Sequence, residues 1–248
     1  NMYDFKTKRL FAYKPLPAGK ARRGIIGIPR VLNIYEHYPF WFTLFTELGF
    51  RVVLSRKTTA ETCETGLETL PSESICYPAK LAHGHIYDLI NRGIKTIFYP
   101  CIPHEIKERE DGDNIYNCPV VASYPEVINV NIDALKEKEI KFLHPFLPID
   151  NEKRMSKRLI EELEEFAVPA AEIRAAVKSA YRELAHYKQD VGKKGEEILE
   201  YLRKTGGRGI VLAGRPYHID PEINHGIPGV ITEYGLTVLS EDSVAHLA

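Results

Sequence analysis

Short apolar runs alternate with amphipathic stretches over the first 150 residues, and this alternation limits the fold more than any other feature of the sequence. Apolar runs of this length are typical of buried parallel strands, and the stretches between them have helical periodicity. Strands that alternate with helices at this spacing predict a parallel sheet with helices on its faces. The predicted strands are residues 24–28, 50–55, 95–99, 119–123 and 140–143.

The same pattern divides the chain into three segments. Residues 24–150 are predicted as a doubly wound α/β domain. Residues 151–205 show helical periodicity only and are interpreted as a helical connector. Residues 206–248 begin a second α/β unit, with strands predicted in GIVLAG and LTVLS. Two strands and one helix cannot enclose a core of their own, so we expect the chain to be a fragment cut inside its second domain.

The charge balance excludes several classes of partner. The 33 Lys and Arg residues against 34 Asp and Glu residues give a net charge of −1, and no basic block stands out. Neither nucleic acid nor an anionic membrane surface is indicated. No apolar run approaches the roughly 20 residues that cross a bilayer. The four cysteines, in a chain without a secretion signal, indicate reduced thiols or metal ligands, and we predict a cytoplasmic protein.

Three of the cysteines lie beside prolines, in the motifs CYP, PCIP and CP. Cys76 precedes a predicted helix, whose N-terminus favours a thiolate. Cys101 directly follows strand 95–99, at the edge of the sheet where ligands bind in α/β folds. Cys118 precedes the predicted strand 119–123, which would put it at the opposite edge unless loop 104–117 folds back. Their spacings match neither zinc-binding pairs nor ferredoxin repeats, so cysteines with a purely structural role are the alternative.

Four further residues are candidates for contacts around such a site. Lys80 and His83 lie on the helix that follows Cys76, where they are interpreted as hydrogen-bond donors to metal ligands or as basic groups facing an anion; plain surface positions are the alternative. Arg215 and His218 follow a strand of the second unit, at an edge where phosphate-bearing ligands often bind. A capping or surface role is the alternative for this pair.

Several longer phrases together resemble the 2-hydroxyacyl-CoA dehydratase family, and specifically the dehydratase-like region of acyl-CoA dehydratase activase-related proteins. The resemblance covers nearly the whole chain. The phrases are IGIPRVLNIYEHYPFWFTLFTELGF, LPSESICYPAKLAHGHIYDLI, IFYPCIP, NCPVVASYPEVI and LAGRPYHIDPEINHGIP.

This resemblance implies a fold, a cofactor and partners. Related dehydratase subunits have tandem flavodoxin-like α/β domains that hold a [4Fe–4S] cluster through cysteines, and other relatives hold a double-cubane cluster. An ATP-dependent activase, as a domain or a subunit, supplies the electron that the cluster passes to an acyl-CoA. By position, Cys76 and Cys101 match cluster ligands, and Cys118 is the third candidate. The family has a further cysteine in its second domain, where this sequence reads Glu241-Asp242-Ser243, so either Cys118 or a residue beyond Ala248 replaces it.

Two functions follow as hypotheses. The first is an iron–sulfur, electron-transferring region of an ATP-activated (R)-2-hydroxyacyl-CoA dehydratase (a lyase) or of a low-potential reductase, with an acyl-CoA substrate and a homodimer as expected partners. Nucleotide-binding motifs are absent from the sequence, so we expect no ATPase activity from this chain. The second is a cluster-free α/β module that binds a partner subunit or a CoA-like ligand. Convergence of the cysteines in a partly open crevice favours the first hypothesis, and scatter through the apolar core favours the second. A zinc site is a weaker third option.

Overall fold

The first half of the chain forms a parallel sheet of four strands. The computed structural model describes residues 1–108 and 110–247. The strand order is β2-β1-β3-β4, and every neighbouring pair is parallel. The prediction of a mixed α/β fold with a parallel sheet is therefore confirmed. The strands are β1 Ile25–Ile28, β2 Arg51–Leu54, β3 Thr96–Phe98 and β4 Lys141–Leu143.

Ten α-helices are found within the described residues. They are α1 Met2–Leu10, α2 Ile34–Glu47, α3 Ala60–Gly66, α4 Tyr77–Asn91, α5 Pro119–Asn131, α6 Ala134–Glu137, α7 Glu152–Glu162, α8 Ala170–Thr205, α9 Pro221–Asn224 and α10 Ile227–Glu233. Short 3₁₀ turns are Ala18–Lys20, Leu67–Thr69, Glu164–Phe166, Pro216–Ile219, Glu241–Ser243 and Ala245–Leu247. None of the helices in the described ranges is long and apolar enough to cross a membrane.

The strand predicted at residues 119–123 is wrong, because this segment is the first part of helix α5. Pro119 occupies the first helical position, where its missing N–H costs nothing and its fixed φ suits a helix. The buried positions Val121, Tyr124 and Ile128 are spaced as one helical face. Packing of that face against the core outweighs the strand preference of the two adjacent valines, which is a small effect per residue.

The core of the first unit is aromatic and is built by α2 against the sheet. Phe40, Trp41 and Phe45 on this helix are fully buried. The rings of Trp41 and Phe45 contact Phe98 of β3, with centroids 4.9 and 4.7 Å apart. Tilted or edge-on aromatic pairs of this kind add to the free energy of burial, so α2 is fixed firmly on the sheet.

Residues 151–205 contain two helices, α7 and α8, with a break before Pro169. Gly192 and Gly195 lie inside α8 without ending it. A Cβ atom on Gly195 would lie 1.9 Å from the carbonyl oxygen of Ser243, so this glycine allows the later part of the chain to approach the helix closely. Strands β5 Gly209–Leu212 and β6 Thr237–Ser240 form a separate parallel pair. The division into three domains stays a prediction.

Candidate functional site

Cys76 and Cys118 occupy equivalent positions, each immediately before a helix. Cys76 is the N-cap residue of α4 and Cys118 is the N-cap residue of α5, and both have extended backbones. The Cys76 carbonyl accepts the backbone N–H of Lys80 at 3.2 Å, and the Cys118 carbonyl accepts that of Ala122 at 2.9 Å. A thiolate at either position faces the positive end of a helix dipole. The predicted placement of Cys76 is confirmed, whereas Cys118 precedes a helix and not a strand.

The two ends of the loop between Cys101 and Cys118 are joined by hydrogen bonds. Asn117 donates its backbone N–H to the Pro103 carbonyl at 2.9 Å and its side-chain N–H to the Ile102 carbonyl at 2.9 Å. These two hydrogen bonds hold the first and last residues of the loop side by side, as at the base of a hairpin loop. Cys118, the next residue, is therefore held beside the segment that follows Cys101. According to the sequence analysis, this arrangement is required for the two cysteines to lie at the same edge of the sheet.

Cys101 continues the direction of β3 and is fully buried. Its N–H donates to the Pro145 carbonyl at 2.9 Å, and its carbonyl accepts from Leu147 at 3.0 Å, so the backbone is fixed on both sides. Burial raises the pKa of its thiol to about 12, the Glu126 carboxylate adds to this, and a hydrogen bond from the Glu126 backbone partly offsets it. Without a metal this thiol is protonated at neutral pH, and a bound metal ion would displace the proton.

Two tyrosines each have a pKa that is affected by more than one of the candidate cysteines. Burial raises the pKa of Tyr217, and the thiolate charges of Cys118 and Cys76 contribute to the same shift. Burial likewise raises the pKa of Tyr99, with contributions from Cys101 and Cys76. Cys76 therefore acts electrostatically on the same tyrosine as Cys118 in one case and on the same tyrosine as Cys101 in the other.

The Tyr99 hydroxyl is a buried donor without a partner. Its side chain is 0% exposed, and within the described residues no hydrogen-bonding atom reaches the hydroxyl oxygen. Buried hydroxyl groups are nearly always hydrogen-bonded, because an unpaired one loses its hydration without compensation. This orphaned donor lies near Cys76 and Cys101, where the sulfur atoms of a cluster would be acceptors.

His83 lies between helices α4 and α5 and is fully buried, so the surface alternative for this residue is wrong. Its Nδ1 lies 2.8 Å from the Thr69 hydroxyl and its Nε2 lies 2.9 Å from the Tyr124 hydroxyl. Since the Thr69 hydroxyl donates to the Gly66 carbonyl, we assign the proton of the neutral imidazole to Nδ1. Tyr124 therefore donates to His83. Burial raises the pKa of Tyr124 to about 12, with a contribution from Cys76.

Lys80 and Cys63 form a neighbouring pair. Burial raises the pKa of the Cys63 thiol on α3, and the Lys80 ammonium partly offsets this shift. Lys80 is half-buried and lies close enough to Cys63 to act on its charge. Lys80 therefore acts electrostatically on Cys63, the fourth cysteine, which has no neighbouring proline in the sequence.

The turn at residues 215–218 has one residue that is affected by the candidate cysteines and another that lines a large cavity. His218 Nδ1 accepts the Arg215 backbone N–H at 3.2 Å, and burial together with the Arg215 charge lowers the pKa of His218. The turn contributes Tyr217 to the cysteine region. It contributes Arg215 to the wall of a cavity of about 830 Å³.

A second group of polar residues, which the sequence analysis missed, lies at the same cavity, and two of its members, Glu36 and Glu105, line the cavity wall. Glu36, His37 and Glu105 each offer a ligand atom, and these atoms lie within 4.8 Å of one another. His37 Nε2 is 2.8 Å from Glu105 Oε2. The only signal in the sequence was an adjacent Glu-His pair inside an otherwise apolar helix, since Glu105 comes from a distant loop.

A family model described as "CoA enzyme activase uncharacterised domain" matches residues 25–244. The match includes all six strands described above. No curated protein matches the chain. Among solved structures, none matches it either.

Proposed function

Since the chain belongs to the family described as the CoA enzyme activase uncharacterised domain, we propose that it is the iron–sulfur-binding, electron-transferring region of a CoA enzyme system. The enzyme type is that of a 2-hydroxyacyl-CoA dehydratase with its activase, as the resemblance of the sequence motifs implies. An ATP-dependent activase, as a domain or a subunit, is the electron donor, and an acyl-CoA is the acceptor.

The arrangement of the three cysteines carries this proposal. Cys76 and Cys118 each cap a helix, and Cys101 follows the central strand β3. The closed loop 102–117 returns Cys118 to the side of Cys101. In this proposal, thiolates from three separate elements bind one cofactor, which suits a polynuclear cluster better than a single ion held by close Cys pairs.

The environment of these cysteines fits a [4Fe–4S] cluster, or a double-cubane cluster, as the cofactor. Such a cluster supplies low-potential electron transfer when it is bound. The two helix N-termini stabilise the negative charge of the Cys76 and Cys118 thiolates. The unpartnered Tyr99 hydroxyl can donate to a sulfur atom and so raise the reduction potential, because it stabilises the more negative reduced state.

The strand order supports a flavodoxin-like fold, which is part of this proposal. The sequence β2-β1-β3-β4 is the order of the first four strands of the flavodoxin-like arrangement, whose ligands bind at the carboxyl edge where the order reverses. Cys101 lies at that edge, directly after β3. The pair β5–β6 would then belong to a second domain of the same kind, and the assembly would work in the cytoplasm.

One observation favours a second candidate, the cluster-free module that binds a partner subunit or a CoA-like ligand. The Cys101 side chain is fully buried and its pKa is raised to about 12, as expected for an inert structural thiol. In that case Cys101 contributes packing only, and the cavity beside Arg215 is the binding site.

Anaerobic reconstitution distinguishes the two functions. Iron and acid-labile sulfide per chain would be measured for the wild type and for Cys76→Ser, Cys101→Ser and Cys118→Ser. The matched control is Cys63→Ser, which removes a half-buried thiol on the neighbouring helix. We expect stoichiometric iron in the wild type and in the control, and a large loss in each of the other three variants.

Far-UV circular dichroism and thermal melting would accompany each sample, so that unfolding is not mistaken for ligand loss. Iron in the wild type no higher than in a variant lacking all four cysteines would overturn the cluster proposal. The cluster-free module would then be tested by binding of coenzyme A to the wild type and to Arg215→Gln.

A further inference from the structure

We propose that Glu36, His37 and Glu105 bind a divalent first-row transition-metal ion, with Mn²⁺ as the representative, at the wall of the 830 Å³ cavity. The site is separate from the cysteines and has no sulfur ligand. One imidazole nitrogen and two carboxylate oxygens, all within 4.8 Å of one another, are close enough to share one ion after small side-chain adjustments.

Two of the ligands are adjacent in sequence and the third is held by its neighbours. Glu36 and His37 lie in the first turn of α2, a helix fixed to the sheet by its aromatic face. Glu105 Oε1 accepts the Asn117 side-chain N–H at 2.6 Å, which orients the carboxylate. Asn117 is itself bonded to the Ile102 carbonyl. Metal ligands are commonly oriented by a second layer of hydrogen bonds of this kind.

His37 is a buried imidazole that faces Glu105 through one of its two nitrogens. Its side chain is 1% exposed, and its Nδ1 atom has no hydrogen-bond partner within residues 1–108 and 110–247. Its Nε2 atom contacts only Glu105, a member of the same cluster. A buried imidazole normally has both nitrogens satisfied. The nitrogen that faces the carboxylates is Nε2, so an ion at this site takes the place of the contact between Nε2 and Glu105, and Nδ1 then carries the imidazole proton.

The nearby lysine leaves the Glu36 carboxylate weakly paired. Lys188 Nζ is 2.5 Å from Glu108 but 3.6 Å from Glu36, which is beyond ordinary hydrogen-bond distance. No other ion pair of Glu36 is found in the described part of the chain. Three carboxylates, Glu36, Glu105 and Glu108, therefore lie around the Lys188 ammonium and the His37 imidazole. With the imidazole neutral, as it must be in a metal ligand, a divalent cation would balance the negative charge that Lys188 leaves.

The donor set and the cavity define the class of ion. Carboxylate oxygen with one imidazole nitrogen suits Mn²⁺, Fe²⁺ and Zn²⁺, whereas Mg²⁺ and Ca²⁺ prefer oxygen alone. Three protein ligands leave coordination positions open, and the adjoining cavity provides space for water or a small anionic ligand in those positions. The site is therefore suited to a metal that exchanges its outer ligands.

The test is a titration of the anaerobic protein with Mn²⁺, in which free Mn²⁺ is quantified by electron paramagnetic resonance. Mn²⁺ is the probe because it binds thiolates poorly, so the cysteines do not contribute. We expect one Mn²⁺ per chain, displaced by Zn²⁺ but not by a tenfold excess of Mg²⁺. Glu36→Gln and Glu105→Gln should each weaken binding by about tenfold or more, in line with the loss of a contact in a metal site. Glu241→Gln, a carboxylate elsewhere on the cavity wall, is the matched control and should bind like the wild type.

Lys188→Met separates this proposal from a simple ion-pair network. Removing a positive charge that competes with the ion should tighten Mn²⁺ binding several-fold, while a purely structural network would only lose stability. The proposal is overturned if neither the wild type nor Lys188→Met binds Mn²⁺, or if binding is unchanged in Glu36→Gln and Glu105→Gln. Either result leaves the iron measurements on the cysteines unaffected.

Discussion

Asn117 donates a 2.6 Å hydrogen bond to the carboxylate of Glu105, and the residue that follows it is Cys118. The same side chain also donates to the Ile102 carbonyl, one residue after Cys101. The side-chain amide of Asn117 therefore links Glu105, a member of the carboxylate–histidine group, to the loop between Cys101 and Cys118. These two cysteines are candidate ligands of the iron–sulfur cluster. We therefore expect a substitution of Asn117 to affect both the Glu105 carboxylate and the position of Cys118.

We predict that Asn117→Ala weakens Mn²⁺ binding by about tenfold, because the Glu105 carboxylate loses the donor that orients it. Closure of the loop at Cys118 also loses a bond, so iron retained after reconstitution should decrease. Both quantities would be measured by the two assays described above. Asn114→Ala is the matched control, since Asn114 lies in the same loop and, among the described residues, its side chain accepts a hydrogen bond from the N–H of Tyr116 alone. Equal behaviour of the two variants would contradict the coupling.

Among the glycines near the candidate cysteine ligands, Gly84 should be the one whose substitution lowers the free energy of unfolding most. A Cβ atom there would lie 1.6 Å from the Thr62 carbonyl oxygen, where helices α3 and α4 cross. Backbone must move to relieve such a clash, so Gly84→Ala should lower the free energy of unfolding by about 3 kcal/mol or more. Gly229→Ala is the control, because Gly229 is also helical but has no atom within 4 Å of its Cβ position.

The control substitution should raise stability by about 0.5–1 kcal/mol, since alanine has the better helix propensity. Urea denaturation of both variants, followed by circular dichroism, measures the two effects with opposite signs. Equal stability changes at the two glycines would show that α3 and α4 do not pack as closely as described.

Local sequence patterns predicted the elements that are short, apolar and bounded by turn residues. Strands β1 to β4 lie within predicted runs, and Cys76 and Cys101 lie where the neighbouring prolines and strand indicated. The pattern failed at residues 119–123, where two valines suggested a strand. There the helical spacing of Val121 and Tyr124, visible only over a longer window, decided the structure.

The polar contacts could not be predicted, because their partners are distant in sequence. Glu105 reaches His37 across 68 positions, and His83 reaches Tyr124 across 41. Nothing near His83 indicated that it would be buried, since a helix carrying two histidines and a lysine reads equally well as a solvent-facing element. Tertiary packing alone determines which polar side chains on such a helix face inward.

Tyr99→Phe should have one measurable effect in the metal-free protein and a different one in the iron-loaded protein. In the metal-free protein the substitution removes an unpartnered buried hydroxyl, so the free energy of unfolding should rise by about 1 kcal/mol. In the iron-loaded protein the hydroxyl is expected to donate to a sulfur atom, so its removal should lower the reduction potential. Urea denaturation and a redox titration measure these effects.

Tyr116→Phe serves as the control for this substitution, since Tyr116 is 69% exposed. It should change neither quantity. A metal-free Tyr99→Phe protein that is less stable than the wild type would mean that the hydroxyl has a partner after all, and the argument for a cluster sulfur as its acceptor would fail.

Two buried histidines should make the protein sensitive to mild acid. Burial lowers the pKa of His83 to about 4, and it lowers the pKa of His85 to about 4 against a small opposing effect of Asp220. His85 lies between the hydroxyls of Ser55 and Thr58, at 2.9 and 3.2 Å. Both imidazoles are therefore neutral in the folded state at pH 6, where unfolded histidines are largely protonated.

The direction of the pH effect follows from proton uptake. Between about pH 6.5 and pH 4 the unfolded chain binds protons that the folded histidines do not, so stability is complete above pH 6.5 and decreases as the pH falls. Each histidine contributes a slope approaching about 1.4 kcal/mol per pH unit in the lower part of this window. His37, whose pKa is raised by its pairing with Glu105 despite burial, acts in the opposite direction.

We predict that His83→Gln makes the free energy of unfolding less dependent on pH between 7 and 5, because one proton-binding group of the unfolded chain is removed. Urea midpoints at these two pH values would be compared for the wild type, the variant and His186→Gln, an exposed histidine on α8. The variant should be less stable than the wild type at pH 7, since glutamine replaces the ring that bonds to Thr69 and Tyr124, yet should lose less stability on acidification. A pH dependence as steep as that of the wild type would show that His83 is protonated in the folded state, and the hydrogen bond from Tyr124 to a neutral imidazole would then be wrong.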